Sequence, residues 1–271
     1  MNFFSTKFQT FGYRLELIEE CKRLKKSGKY LPKDYKKLIF SDPFKYDDFI
    51  NILCFIDPNS ETNLVDIGAN VGEFTKDFIK FFPNNKSALL FEPIKKLSED
   101  IKYNLKNVCD YKLFNVGLSD EKGVKILKYQ ASNTTLASLK SYSRDVNNFY
   151  NKKDGIEEKV EIDVLDNYKP YIKNHKNLII KIDVQGNEFE VIKGGLSLIS
   201  LSSILILECS FTSEYENEKP SFSECLKLLD KIDMYPIIFQ NYSKKISNYP
   251  FERDVIFCKK NLLEKIYFKN Y

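Results

Sequence analysis

Short apolar runs alternate with amphipathic stretches along most of this chain, and the alternation begins in earnest at residue 63. Strand-like runs fall at 63–67, 87–91, 111–116, 178–183, 203–208, 235–240 and 254–258. Helical periodicity fills most of the gaps, at 73–82, 94–107, 187–199 and 220–232. Strand, helix, strand, helix at this spacing predicts a parallel sheet covered on both faces. Residues 123–165 break the rhythm. Val124–Tyr129 and Lys159–Val164 predict extra strands joined by a polar stretch at 140–156, and 166–175 predict a short helix. Ahead of the sheet, Leu17, Cys21 and Leu24 recur at helical spacing, which predicts a helix over 11–27 that stops at Gly28. A second helix is predicted over 45–55. The expected organisation is therefore a helical cap over 1–58 and an α/β domain over 59–271, doubly wound and mostly parallel, with a β insertion.

The chain has 271 residues, enough for one sizeable domain with an appendage. Apolar residues make up 43% and charged residues 30%, which excludes disorder as the main theme. Residues 1–50 hold eleven of the 42 basic and seven of the 38 acidic residues, and the remaining 31 of each sign cancel. A neutral main body argues against a nucleic-acid-binding face. The basic stretch Cys21–Lys26 reads more simply as the solvated face of a helix than as an anion-binding site. Six cysteines show no paired spacing, and Cys54, Cys209 and Cys258 lie in apolar runs as expected core residues. No run approaches a membrane span, and no apolar stretch follows a basic start. A soluble protein of the reduced cytoplasm is the expectation.

The candidate chemistry lies at the strand ends. Leu64-Val-Asp66-Ile-Gly68-Ala-Asn70-Val-Gly72-Glu-Phe74-Thr75 places a buried strand, an acid, two glycines and a helix start within twelve positions. Glycine permits positive φ and close approach of backbone N–H groups to a ligand. Asp66 can position the loop and reach a ligand ammonium through water. Glu92, after the second apolar run, is placed to accept two hydrogen bonds from a ribose, and Pro93 ends that strand rigidly. An acid, a glycine pair and a second acid in register point to a nucleoside cofactor. A dinucleotide fingerprint wants glycines at relative positions 1, 3 and 6, whereas here they stand at 1 and 5, which favours S-adenosylmethionine (SAM) over NAD. An NAD-dependent oxidoreductase and a non-catalytic binding module are the alternatives.

Four stretches make the resemblance specific: Val65–Phe74, Phe91-Glu-Pro93, Asn115-Val-Gly-Leu-Ser-Asp120, and Lys181-Ile-Asp-Val-Gln-Gly-Asn-Glu188 followed by Val191–Gly195. Together they resemble an FkbM-type class I SAM-dependent methyltransferase, and Val160–Asp166 resembles the family's segment before its fourth core strand. The resemblance implies a Rossmann-like seven-stranded sheet with an antiparallel last strand. It also implies methyl transfer to an oxygen, often a sugar or polyketide hydroxyl. Cofactor contacts are then expected from Asp66, Gly68, Asn70, Gly72, Phe74, Glu92, Pro93, Asn115 and Ser119. Ser119 and Asp120 can equally be a cap and turn. Gln185 stands where the family usually has Glu and is assigned no catalytic duty.

Methyl transfer needs an aligned acceptor oxygen and a route for one proton. Asp183, at a strand tip, is the candidate base, with Lys181 on the same face of the strand. Lys181 either anchors an anionic substrate or forms a buried ion pair. Glu208, at the neighbouring tip, is the third catalytic candidate, and Asp183 with Glu208 form a speculative site for a divalent cation that lacks an identified third ligand. Glu188 at a helix start has a sufficient structural explanation. His175, alone in a polar loop, reads as a surface residue. The hydroxyl-rich Ser132–Leu139 and the residues Tyr142, Arg144 and Tyr150 are candidates for shaping the acceptor pocket. The expected partner is a small-molecule or glycan hydroxyl acceptor.

Overall fold

A computed structural model describes residues 3–141, 155–211, 215, 222–239 and 252–267. Tyr142, Arg144 and Tyr150 lie outside the described residues. A seven-stranded sheet carries the fold: β1 (Thr62–Ile67), β2 (Asn85–Phe91), β3 (Tyr111–Phe114), β8 (Leu178–Ile182), β9 (Ile204–Ser210), β10 (Met234–Phe239) and β11 (Glu252–Lys259). Their spatial order is β10-β11-β9-β8-β1-β2-β3. The strands from β3 across to β9 pair in parallel, and β11 is antiparallel to both of its neighbours. The doubly wound α/β fold with an antiparallel last strand is therefore present.

β1 and β8 are buried along their whole length, because helices cover both faces of the sheet. Alternation then divides each strand between two cores. Leu64, Ala88, Leu90, Ile179, Ile204, Ile206, Ile256 and Cys258 pack on one side with Phe78, Phe81 and Phe82 and with the N-terminal cap. Val65, Ile67, Ile180, Ile182, Leu205, Leu207, Val255 and Phe257 pack on the other with Val191, Ile192, Leu198 and Ile199.

The cap comprises helices Phe3–Lys26, Tyr35–Ser41 and Pro43–Phe55. Asp42 caps the third of these, accepting from the backbone N–H groups of Phe44 (3.1 Å) and Lys45 (3.2 Å), and Pro43 opens it. Leu17, Ile18, Cys21, Leu24, Ile39, Phe49, Ile50 and Leu53 share one hydrophobic cluster with the sheet. The short Tyr35–Ser41 helix escaped sequence reading because seven residues give too few turns for a periodic signal. Cys54 is exposed, unlike Cys209 and Cys258, because it lies on the solvent side of its helix.

The insertion forms a sheet of its own, in the order β4-β7-β5-β6. β5 (Gly123–Gln130) and β7 (Gly155–Val164) match the two expected extra strands. β4 (Gly117–Ser119) and β6 (Asn133–Ser138) are additional. The single run expected at 111–116 ends at Phe114, and the chain changes sheets at Asn115 and Val116. Two expected helices are also interrupted. A 3-10 turn at Lys95–Leu97 precedes Ser98–Leu105, and Gly195 separates Glu188–Gly194 from Leu196–Ile199. Residues 165–171 are a 3-10 helix containing Pro170. Among the described residues no helix is long and apolar enough to cross a membrane.

Candidate functional site

Register puts one row of polar residues at a single end of the sheet. Asp66 pairs with Lys181 across β1 and β8, and Asp254 pairs with Glu208 across β11 and β9. Asp183 follows Lys181 by two positions, as Glu92 follows Leu90, the partner of Asp66. Side chains two apart share a face, so Asp66, Glu92, Lys181, Asp183, Glu208 and Asp254 all project from the face that the cap covers. The apolar residues behind them fill the core, and the strand ends hold the charge.

A cavity of about 460 Å³ opens at this end, within the range of small-molecule sites. Its floor is the loop after β1, residues 68–71, together with Phe74, Glu92 and Pro93. Val116, Gly117 and Leu118 form one wall, and Lys181, Asp183, Val184, Gln185 and Asn187 another. The turn from β5 into β6, Ser132–Thr135, closes over it.

Gly68 has φ 81°, and a Cβ there would stand 1.7 Å from the Asp183 carbonyl oxygen. Only glycine lets the loops after β1 and β8 cross at this distance. The backbone N–H groups of Gly68 and Ala69 both donate to the Phe91 carbonyl (3.0 and 3.1 Å), and that of Asp183 donates to the Ile67 carbonyl (3.0 Å). Asn70 sits at φ 47°, a left-handed conformation that Asn tolerates better than most residues. Gly72, at φ 78°, caps the helix Glu73–Phe81, and its Cβ direction faces Leu105 and Ile101. It supports the loop from behind and does not line the cavity.

Glu92 fastens this floor. Its Oε2 accepts from the Asn70 backbone N–H and its Oε1 from that of Ile94, both at 2.9 Å. Each oxygen keeps a second lone pair for a ligand hydroxyl. Burial pushes its pKa up to about 7, against the pull of those two N–H groups. Asp66 lies fully buried beneath the loop and accepts from the Thr75 hydroxyl (2.6 Å). Its other oxygen has no hydrogen-bond partner among the described residues. Burial raises the Asp66 pKa, opposed mainly by Lys181.

Asn115 and Ser119 are placed behind the wall. Asn115 donates to the Glu92 carbonyl (3.1 Å) and to Ser98 (3.0 Å), while its neighbours from Val116 to Leu118 face the cavity. Ser119 is fully buried, donates to Asp120 (3.3 Å) and accepts from Lys125 (3.2 Å). Both are turned away by the change of sheets after β3.

The reaction-centre candidates come together. Lys181 donates to Asp183 at 2.6 Å, and its ammonium lies 5.2 Å from the Phe74 ring centroid. Burial works against the Lys181 charge, but Asp183, then Asp66 and Asp254, outweigh it and raise its pKa. Burial likewise opposes the Asp183 charge. Lys181 and hydrogen bonds with Glu208 and Gln185 prevail and lower its pKa. The Gln185 amide donates to both Asp183 (3.1 Å) and Glu208. Gln185 thus bridges the two acids, a role its neutral side chain did not advertise in the sequence. Glu208 meets Asp183 directly and through that bridge, and does not line the cavity.

The metal expectation at Asp183 and Glu208 is not supported. Among the described residues no group of three or more His, Cys, Asp or Glu is arranged to hold a metal ion. The oxygens proposed for it are already held by an ammonium and an amide. Glu188 accepts from the backbone N–H groups of Val184 (3.2 Å) and Gly186 (3.0 Å), which fixes the loop after β8. His175 precedes β8 at the opposite end of the sheet, away from the cavity. Sequence reading passed over Asp48 and Asp254. The signal for Asp48 was two adjacent acids in an otherwise apolar helix, and for Asp254 the alternation with Ile256 and Cys258.

A family model for the methyltransferase FkbM domain matches residues 66–236. No curated protein matches the chain. Among solved structures, it is similar to magnesium protoporphyrin IX methyltransferase from Synechocystis PCC 6803 with bound SAH, at 11% identity and a TM-score of 0.43, covering 94% of this chain and 99% of that one. A SAM-dependent methyltransferase from Leishmania major shares 12% identity at a TM-score of 0.44, covering 91% of this chain and 83% of that one. Neither likeness is strong enough to say anything about substrate. The family match spans well over half of the chain and includes every strand end that builds the cavity, and the chain belongs to the FkbM methyltransferases, a class I SAM-dependent family.

Proposed function

We propose that this methyltransferase acts on a hydroxyl of a carbohydrate-like acceptor, such as a sugar, a nucleotide sugar or a glycan precursor. One observation carries the reading. The Asp183 carboxylate, charge-balanced by Lys181, faces a cavity whose roof and side wall offer Ser132, Asn133, Thr134, Thr135, Gln185 and Asn187. Hydroxyls and amides at that density suit an acceptor with several hydroxyls of its own.

The cofactor fits the floor. The Gly68 crossing leaves no side chain over the loop, and Glu92 keeps lone pairs for the ribose hydroxyls. Phe74, Glu92, Pro93 and the backbone of residues 68–71 would hold it, with Asp66, Gly72, Asn115 and Ser119 acting through the loops they brace. When bound, SAM supplies a methyl group already activated by its sulfonium. Asp183 orients the acceptor hydroxyl and takes its proton. Lys181 keeps Asp183 ionised until that transfer, and Glu208, through Gln185, holds the Asp183 carboxylate in place. Nucleic acid is not the expected acceptor, because the chain outside residues 1–50 carries no net charge. A cytoplasmic enzyme is part of this proposal.

The test is a mass-spectrometric screen for single-methyl gain, with purified protein, SAM and panels of sugars, nucleotide sugars, RNA and protein. A methylated sugar is expected. Asp183→Asn should lower kcat by roughly 10² to 10⁴-fold while SAH binding, followed by calorimetry, stays near wild type. Methylation confined to RNA or protein overturns the acceptor assignment.

A further inference from the structure

Positive charge is concentrated in one turn of the cap. Residues 22–37 hold eight of the chain's 42 basic residues and a single acid, Asp34, a net +7. The whole chain carries +4, so everything outside this turn carries a net −3. The segment is firmly built. Helix Phe3–Lys26 ends at a left-handed Gly28 (φ 84°), whose backbone N–H donates to the Lys25 carbonyl (3.1 Å), while that of Lys29 donates to the Leu24 carbonyl (3.0 Å). Leu24, Tyr35 and Ile39 are buried in the core shared with the sheet, and the Lys29 ammonium donates to the Ile56 carbonyl (3.2 Å). Apolar residues are thus turned inward and most of the charge outward.

Local chemistry explains only part of that charge. Glu19 and Glu20, one turn earlier, pair with Lys22 and Arg23, so the solvated-face reading holds for those two. Lys25 and Lys26 close a helix whose C-terminal dipole favours cations. Lys33, Lys36 and Lys37 have neither explanation. They are exposed and, like Lys25 and Lys26, make no ion pair among the described residues. Lys36 and Lys37 even stand in the first turn of the helix Tyr35–Ser41, where the dipole disfavours a cation. Phe40 follows them at helical spacing and is 46% exposed, and Tyr30, in the turn, is 38% exposed. Clustered like charges repel one another, and an anionic partner relieves that repulsion.

We propose that this turn docks the enzyme on an anionic lipid surface, with the lysines over headgroup phosphates and Tyr30 and Phe40 at headgroup level. Two features favour lipid over nucleic acid. A nucleic-acid strand needs charge along a track, and beyond this turn it would run along a surface of net negative charge. A flat bilayer can meet the turn and leave the rest of the molecule beyond the range of screened charge, about 8 Å. Seven of the eight basic residues are Lys, whose point charge suits a diffuse layer of phosphates, whereas bidentate recognition draws on Arg. Docking also leaves the cavity free. Lys29 reaches Ile56, which leads into β1 at the end of the sheet opposite the cavity. Turnover on a dissolved acceptor therefore does not require the membrane.

The test is co-sedimentation of the full-length protein with vesicles of equal parts phosphatidylglycerol and phosphatidylcholine, beside vesicles of phosphatidylcholine alone. Binding to the first and not to the second is expected, weakening as salt is raised. Lys33→Gln, Lys36→Gln and Lys37→Gln combined should lower partitioning about a hundredfold, at roughly fivefold per lysine. Phe40→Ser should lower it by a factor that salt does not change. SAH binding, followed by calorimetry, should stay at the wild-type value in every variant, because these side chains do not line the cavity. Should the triple variant not fold, Lys25→Gln with Lys26→Gln, on the other helix, carries the test with a loss of about 25-fold. No binding to either vesicle, equal binding to both, or undiminished binding by the lysine variants overturns the proposal. Retention by a labelled RNA without retention by the anionic vesicles overturns it in favour of nucleic acid.

Discussion

Glu92 couples the floor of the cavity to pH. An acid whose folded pKa is raised above its unfolded value holds its proton longer in the native state. Stability contributed in this way is full below about pH 4.5, declines as pH rises toward about 7, and is then constant at its lower level. Glu92→Gln should flatten this decline in cofactor-free protein, measured by denaturant unfolding at stepped pH. Part of the slope should remain, because Glu188 is also pushed up to about 7 by burial. A slope identical to wild type would show that Glu92 is ionised in the folded protein. At Gly68 the limit is steric. Gly68→Ala puts a methyl group inside the contact distance of the Asp183 carbonyl, so both loops must move. A loss of at least about 2 kcal/mol is expected, with SAH binding abolished, from the positive-φ cost plus a clash that backbone cannot relieve cheaply. Calorimetry and thermal unfolding check both halves.

At the scale of elements, hydrogen bonds fasten the roof to the main sheet. Thr134 donates to Asn70 (3.1 Å), and Ser138 donates to the Gln185 carbonyl (2.5 Å). Each fastens β6 to a different loop of the main sheet. Thr134→Ala and Ser138→Ala should each cost about 1 kcal/mol locally, seen as faster amide exchange confined to residues 131–138, and together they should raise KM for the acceptor more than KM for SAM. β1, β2, β8 and β9 could be read from the sequence because each was a largely buried apolar run of ordinary length, while the half-buried edge strands β3 and β10 were legible by their apolar residues alone. β4 and β6 could not be read. Gly117–Ser119 offers three residues, and Asn133–Ser138 is polar because it faces a ligand cavity on one side. Periodicity reports burial, so a strand that serves the cavity leaves little trace in it. The glycine loop and the strand-tip acids were visible as residue types in fixed order. Gln185 was not, since its bridging role arises only where β8 and β9 meet.

On the scale of the whole molecule, the cap and the sheet share a core. Phe49 is 1% exposed and stacks on Phe81, with ring centroids 5.2 Å apart, and it touches Phe74 and Phe78 as well. Phe49→Ala should destabilise the protein by about 3–5 kcal/mol. Because Phe74 lines the cavity, the same variant should weaken SAH binding, whereas an equally buried substitution on the opposite core, such as Leu229→Ala, should affect stability alone. Equal binding losses in the two variants would show that the cap is remote from the cofactor. Residues on either side of position 58 thus share one hydrophobic cluster.

The antiparallel strand β11 has a consequence for synthesis. It slots between β10 and β9 only after both have been made, and it sets Asp254 opposite Glu208. A nascent chain halted before residue 252 has its glycine loop, its base and its roof, yet the sheet still ends at a gap. Insertion of β11 between two strands that precede it in the chain is therefore the step of sheet assembly that waits longest for its partners.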